Sequence, residues 1–393
     1  MMIGLKFWRL SGASLVFLAF AAVGVALAGS APRYVVTNDD VLQPFPSDLS
    51  FYSMAADGRL SLKEQVYTNA FGSGGGYFAT NRLAVLDNAN THCVYSSNAG
   101  SAQIVGIDVD TLQLGNAATG SPTDTGVSNG IGLAVNSQYL YAAFTDVSTI
   151  GTFQVQAGCG LTFINDVTVG GLQGGIIAAM ALRGSTLVAT YGDGSIESFN
   201  ISNGTPVSNG DRQNSPAYAK SQGSTYPNGI DITRDGRYVL FGDTSTSSVV
   251  EVSDISSGKL TTPVSYTFNR TINSSNILLS PDETLLYISD TQGDTVSAVF
   301  FDAVTGKLSP GCISGKLRNY GSTWSYLASL SLQSTTGTGG VLYVAEFGSP
   351  SSIAMIQVAS SGGKCTLTEM PDSPVAADST ALLSIQTFPP RPF

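Results

Sequence analysis

A six-residue segment with the character of a buried strand returns seven times along this chain, and no other feature of the sequence restricts its fold so severely. Each copy opens with two residues that are mostly apolar, passes through Tyr, Val or Leu and two further residues, and often ends on Asn, Asp or Glu. The copies are Arg33–Asn38, Cys93–Asn98, Tyr139–Phe144, Thr186–Tyr191, Tyr238–Asp243, Leu285–Asp290 and Val341–Glu346. Their third residues are 35, 95, 141, 188, 240, 287 and 343, so consecutive copies lie 60, 46, 47, 52, 47 and 56 residues apart. A period near 50 suits a four-stranded propeller blade and is too long for ankyrin or leucine-rich units.

The residues around each copy complete such a blade. Behind it come an alternating strand, a Gly-bearing turn and another strand, as in Ser195–Val207, Ser248–Leu260 and Thr295–Leu308. Alternation of apolar and polar residues at period two marks strands. Asn-Gly, Ser-Gly and Thr-Gly supply the positive φ of tight hairpins. Ahead of the copy lies a strand such as Gly229–Thr233 or Asn276–Ser280, closed by turns at Arg234-Asp235-Gly236 and Pro281-Asp282-Glu283. Only 12% of residues are charged and 44 are Gly, a composition of short strands and tight turns. The first unit lacks an innermost strand, whereas Ala381–Phe388 is an apolar strand with no unit after it. The C-terminal strand is therefore expected to complete the first blade, which removes the sheet edges that invite aggregation. The expected fold is an all-β, seven-bladed β-propeller of four-stranded antiparallel blades, formed by residues 29–393 as a single domain.

Residues 1–28 read as a signal peptide. Lys6 and Arg9 precede an apolar run from Ser14 to Ala28, and Ala26-Leu27-Ala28 offers small residues for cleavage after Ala28. The mature chain is expected to be secreted or periplasmic, with no membrane span once the signal is removed. Cys93, Cys159, Cys312 and Cys365 then sit where disulfides persist. Four cysteines allow three pairings, among which sequence does not choose; adjacency of blades favours Cys93–Cys159 with Cys312–Cys365. The formal charge of -10 and the absence of a basic cluster argue against a nucleic-acid partner.

Tyr34-Val35-Val36-Thr37-Asn38 resembles the YVTN repeats of the lactonase-like seven-bladed propellers. The likeness continues in Ser280-Pro281-Asp282, Leu286–Asp290, Thr233–Val239 and the Gly-Lys-Leu turns at Gly258–Leu260 and Gly306–Leu308. These are strand and turn residues, so they speak for architecture more than for chemistry. The resemblance implies either a lactone hydrolase like 6-phosphogluconolactonase or a surface-associated repeat protein with no known reaction.

Opening a lactone needs a base to activate water and donors to hold the oxyanion. The chain has one histidine, His92, at a strand end beside a turn on the face opposite the loops that enter the innermost strands. No catalytic residue can be assigned from this sequence. The ends of the repeated strands carry Asn38, Asp39, Asn98, Asp243, Asp290 and Glu346, which would rim one mouth of the axial tunnel. Such oxygen donors suit calcium or magnesium, but Asn and Asp also cap turns; no metal site and no resident cofactor are assigned, with calcium the ion to consider. The same mouth should collect Arg82, Asn129, Asn228, Ser275, Asn276 and Tyr326, which precede or open the innermost strands. The candidate ligand-binding set is therefore Arg82, Asn129, Asn228, Asn276, Tyr326, Asp243, Asp290 and Glu346. A phosphate clamp wants several basic side chains, and only Arg82 is placed for it, since Arg183, Arg234 and Arg237 belong to the opposite face. The function expected is an exported binding or scaffold module whose polar axial funnel takes a glycan, a small ligand or a protein partner. Lactone hydrolysis is the alternative.

Overall fold

The computed structural model describes residues 33–42, 44–73, 81–115, 123–125, 130–145, 147–171, 175–216, 228–243, 249–268, 274–290, 293–319, 325–336, 339–377, 379 and 381–390. They form seven antiparallel sheets. The recurring segment is the second strand from the axis in every sheet. Four copies coincide with their strands residue for residue: Tyr139–Phe144, Thr186–Tyr191, Tyr238–Asp243 and Leu285–Asp290. The remaining second strands are Tyr34–Asp39, Thr91–Asn98 and Gly339–Gly348.

Alternation along these strands divides their side chains between two neighbours. In blade 6, Leu285 and Tyr287 pack toward blade 7, whereas Leu286 and Ile288 pack toward blade 5. Val35 and Val36 of blade 1 separate in the same way toward blades 7 and 2. The core is accordingly not one mass but seven clusters, one at each junction between successive blades around the ring. A strand buried on both faces reads as a nearly continuous apolar run, which is why the second strand is the part of each unit that repeats most clearly.

Hairpin glycines complete two of these junctions. Gly204, at φ +82°, lies under the ring of Tyr139, and Gly306, at φ +68°, lies under that of Tyr238. A Cβ at either position would come within 2.7 Å or 2.5 Å of the tyrosine ring, respectively. Each turn thus needs glycine twice, for its left-handed backbone and for the close approach of the preceding blade.

In blades 2, 4 and 7 a two-residue strand also pairs with the third strand: Thr123–Asp124, Gln213–Asn214 and Val375–Ala376. These are second halves of a divided outer strand. At the break in blade 4 the Asp211 carboxylate accepts the Ser198 N–H at 3.1 Å, and in blade 7 the Ser373 hydroxyl accepts the Met355 N–H at 3.0 Å. The outer strand bends away and a side-chain oxygen satisfies the backbone donor left behind.

The ring is closed by Leu382–Phe388, which pairs antiparallel with Tyr34–Asp39 as the innermost strand of blade 1. The register runs from Tyr34 opposite Phe388 to Asp39 opposite Leu382, with a bulge between Asn38 and Asp39. Cys93 is bonded to Cys159 and Cys312 to Cys365, so the disulfides join blade 2 to blade 3 and blade 6 to blade 7. Among the described residues no helix is long and apolar enough to cross a membrane.

Ile385 of the closing strand is fully buried between blades 7 and 1. Replacing it by alanine is expected to cost about 3 kcal/mol in urea unfolding. The same deletion at the half-exposed rim residue Val207 should change stability by less than about 0.5 kcal/mol.

Candidate functional site

First strands begin, and second strands end, at the same face of each blade, so the residues at those ends gather around one mouth of the axis. Asp39 lies opposite Leu382, Asp290 opposite Ser274 and Glu346 opposite Leu327, each pairing the end of a second strand with the start of a first. Asp243 ends the second strand of blade 5, and Tyr326 lies in the first strand of blade 7. The side chains of Asp243, Ser275 and Tyr326 lie outside the described residues, as does Asn129 altogether.

Three consecutive residues at this mouth hold the ring together. Asn38 accepts the Ser384 N–H of the closing strand through Oδ1 at 2.9 Å. Asp39 Oδ1 accepts the Ala381 N–H at 3.1 Å and the Ser379 hydroxyl at 2.7 Å. Asp40 reaches the other way, to blade 2, where Arg82 Nη1 donates to its Oδ2 in a tight ion pair. Ser73 Oγ donates to the same carboxylate oxygen at 2.8 Å and accepts from Arg82 Nη1 at 2.9 Å. Both members of the pair are within 2% of complete burial. Arg82 therefore neutralises an internal carboxylate at the junction of blades 1 and 2.

Glu346 is likewise buried, with Ser352 Oγ donating to its Oε2. Burial pushes its carboxyl up to about 7 against the pull of the Ser352 bond, and the Glu369 and Asp294 carboxylates add to the rise. Asn228 and Asp290 are buried at the ends of their strands. Asn276 sits at a bulge in the first strand of blade 6, where its N–H donates to Ser289 Oγ at 3.0 Å. Thr190 Oγ1 serves the equivalent bulge in blade 4, accepting the Ala179 N–H at 3.1 Å.

Behind this rim, along the axis, lies a cavity of about 180 Å³. Its polar wall is Asn81, Asp231, Asn276, Ser331 and Gln386, supplied by the approach to blade 2 and by blades 5, 6, 7 and 1. Ile230, Leu278, Leu330 and Leu332 are part of an apolar wall, and Pro390 follows the closing strand into it. Asp231 is the one acid among these lining residues, and its oxygens accept the N–H groups of Ile232 and Leu279, each at 2.9 Å. Asn81 Nδ2 donates to the Met180 carbonyl at 3.3 Å. Of the sequence candidates, Asn276 lines this cavity. Asn81, Asp231, Ser331 and Gln386 were not singled out, because each is a lone polar residue in or before an innermost strand with no motif around it.

The opposite face carries the other cationic groups considered. His92 Nδ1 is 3.0 Å from Asp110 and its Nε2 is 3.7 Å from Asp87. The Asp110 hydrogen bond, ahead of opposing desolvation, raises the imidazole above its ordinary value. Arg183, Arg234 and Arg237 donate to the carbonyls of Ile232, Pro281 and Val304 in the neighbouring blades. Among the described residues no group of three or more His, Cys, Asp or Glu side chains converges as metal ligands do.

Substitutions at Arg82, Asp40 and Glu346 test this electrostatic account. Arg82→Met leaves the Asp40 carboxylate buried without its cation, a change expected to cost about 3–5 kcal/mol in urea unfolding. Adding Asp40→Asn should restore most of that loss. For Glu346, a native carboxyl at about 7 against 4.5 for the free group means that the folded state holds the proton more tightly. Its stabilising effect is complete below pH 4.5 and is lost as pH rises through about 7. The loss amounts to about 3 kcal/mol. Glu346→Gln should remove this component from stability measured between pH 4 and 8.

Residues 86–374 match the family model described as "Lactonase, 7-bladed beta-propeller". No curated protein matches the chain. Among solved structures, a candidate 6-phosphogluconolactonase of Bacteroides fragilis superposes with a TM-score of 0.62 at 15% identity, covering 92% of this chain and 99% of its own. A protein of unknown function from Desulfotomaculum acetoxidans gives 0.58 at 14% identity, with 90% and 98% covered. The periplasmic gluconolactonase of Pseudomonas aeruginosa gives 0.53 at 16% identity, with 70% and 80% covered. At such identities the structural likeness speaks for the fold alone. The family model spans well over half of the chain, and with seven blades closed by the C-terminal strand the protein belongs to the seven-bladed β-propeller lactonase family.

Proposed function

We propose that this protein is an exported binding propeller that takes a small polar ligand in its axial cavity. The observation that carries this reading is the cavity itself, with amide and hydroxyl groups from several blades facing apolar side chains across about 180 Å³. Binding sites of this kind combine an apolar wall with a few placed polar groups. Innermost strands are the most constrained part of a propeller, so groups mounted on them are held in place before a ligand arrives, which lowers the cost of binding. Export is supported by the basic and apolar segments within residues 1–28 and by the two disulfides. The candidate groups Asn129, Asn228, Tyr326, Asp243, Asp290 and Glu346 serve in this reading as the rim that a ligand or a larger glycan passes, with Arg82 held inside the protein by Asp40. A protein partner would dock on the same face.

A second reading, lactone hydrolysis, is favoured by one specific feature besides family membership. A carboxyl held at about 7 has the proton affinity that general acid–base catalysis near neutrality requires. The solved neighbour from Pseudomonas aeruginosa is itself a periplasmic gluconolactonase by name.

Thermal melting of the purified protein against a library of small polar metabolites and short glycans tests the first reading. A ligand at a hundred times its Kd should add about 2.7 kcal/mol of stability, and Asn276→Leu should abolish the shift. A library with no stabilising member would reject the proposal. Turnover of any lactone in a panel, lost in Glu346→Gln, would replace it with the second reading.

A further inference from the structure

The charges around the axis carry the binding reading one step further, to the class of molecule admitted. Resting on that reading, we infer that the axial cavity selects an uncharged, hydroxyl-bearing ring of single-sugar size and excludes phosphorylated or carboxylated relatives of the same ring. Size comes first: about 150 Å³ accommodates a benzene ring, so about 180 Å³ fits one six-membered ring with small substituents. The wall matches such a ring chemically. Asn276 and Gln386 offer neutral amide donors and acceptors, and Leu278, Leu330 and Leu332 offer a surface for C–H faces.

The exclusion of anions rests on three observations that point the same way. Among the described residues the lining includes no Lys, Arg or His, and its one ionisable group is the carboxylate of Asp231. At the mouth, Arg82 is spent on Asp40, so the basic group best placed by sequence is neutralised inside the protein. Around it Asp39 and Asp290 end the second strands of blades 1 and 6, and the whole chain carries a formal charge of -10. An incoming phosphate or carboxylate would lose its hydration without gaining a cation from the described residues, and a buried unpaired charge is strongly disfavoured. A neutral ring loses only hydroxyl hydration, which amides replace.

Calorimetric titration of the full protein with two sets of probes tests the inference. The neutral set is glucose, myo-inositol and glucono-1,5-lactone; the anionic set is gluconate, glucuronate and glucose 6-phosphate. At least one neutral probe should bind, with every anionic probe at least tenfold weaker. Gln386→Lys, which places a cation in the wall, should strengthen glucose 6-phosphate binding at least tenfold, provided that its melting curve shows a folded protein. Anionic probes that bind the unmodified protein as tightly as neutral ones would overturn the charge selection while leaving the binding reading intact. Failure of all six probes would overturn the ring assignment. If the wider metabolite library also fails, the binding reading falls with it.

Discussion

The pairing of Leu382–Phe388 with Tyr34–Asp39 is the constraint on which the rest of the molecule depends. Each blade presents two apolar faces, and each face is buried only because another blade follows. An open row of seven blades would expose one apolar face at either end, and blade 1 would lack its innermost strand. Bringing the two ends of the chain into one sheet converts that row into a ring with a buried junction everywhere. The loop closed is nearly as long as the protein, yet the entropy of closing it rises only logarithmically with length. Burying Val35, Tyr52, Leu382 and Ile385 against Tyr343 and Ile353 offsets that cost.

Closure also accounts for the placement of polar groups. Ladder hydrogen bonds alone do not hold the closing strand at its upper end, where a bulge interrupts the register. Asn38 and Asp39 supply side-chain acceptors at that point, and Asp40, one residue on, joins the next blade through Arg82. Asn and acidic residues at the ends of second strands thus stabilise the ring and set the electrostatic character of its mouth. Side chains that serve the strands of single blades also place acids, Asp39 and Asp290 among them, around one mouth.

Much of the fold was legible because it is written in local periodicity. The second strand is buried on both faces, so Leu285–Asp290 and Tyr238–Asp243 look alike whatever blade they occupy. The hairpin glycines at 204 and 306 announce their turns in the dipeptides Asn203-Gly204 and Thr305-Gly306. The candidate site was legible only in part, because the cavity is lined by residues far apart in the chain. Asn276 stood out beside its strand start, whereas Ser331 and Gln386 resemble any polar residue in a strand. Arg82 was visible as a basic group at the mouth, but its partner Asp40 lies 42 residues earlier, beyond reach of any local pattern.

The amino-acid sequence by itself determined the strands, their order, the number of blades and the resemblance to lactonase-like propellers, since alternation and turn chemistry act within a few residues of each other. Tertiary structure alone decided which cysteines meet, which carboxylate Arg82 neutralises, how far Glu346 is desolvated and which polar groups share the axis. Those properties depend on distances across the ring, and a chain acquires such distances only when its last strand lies beside its first.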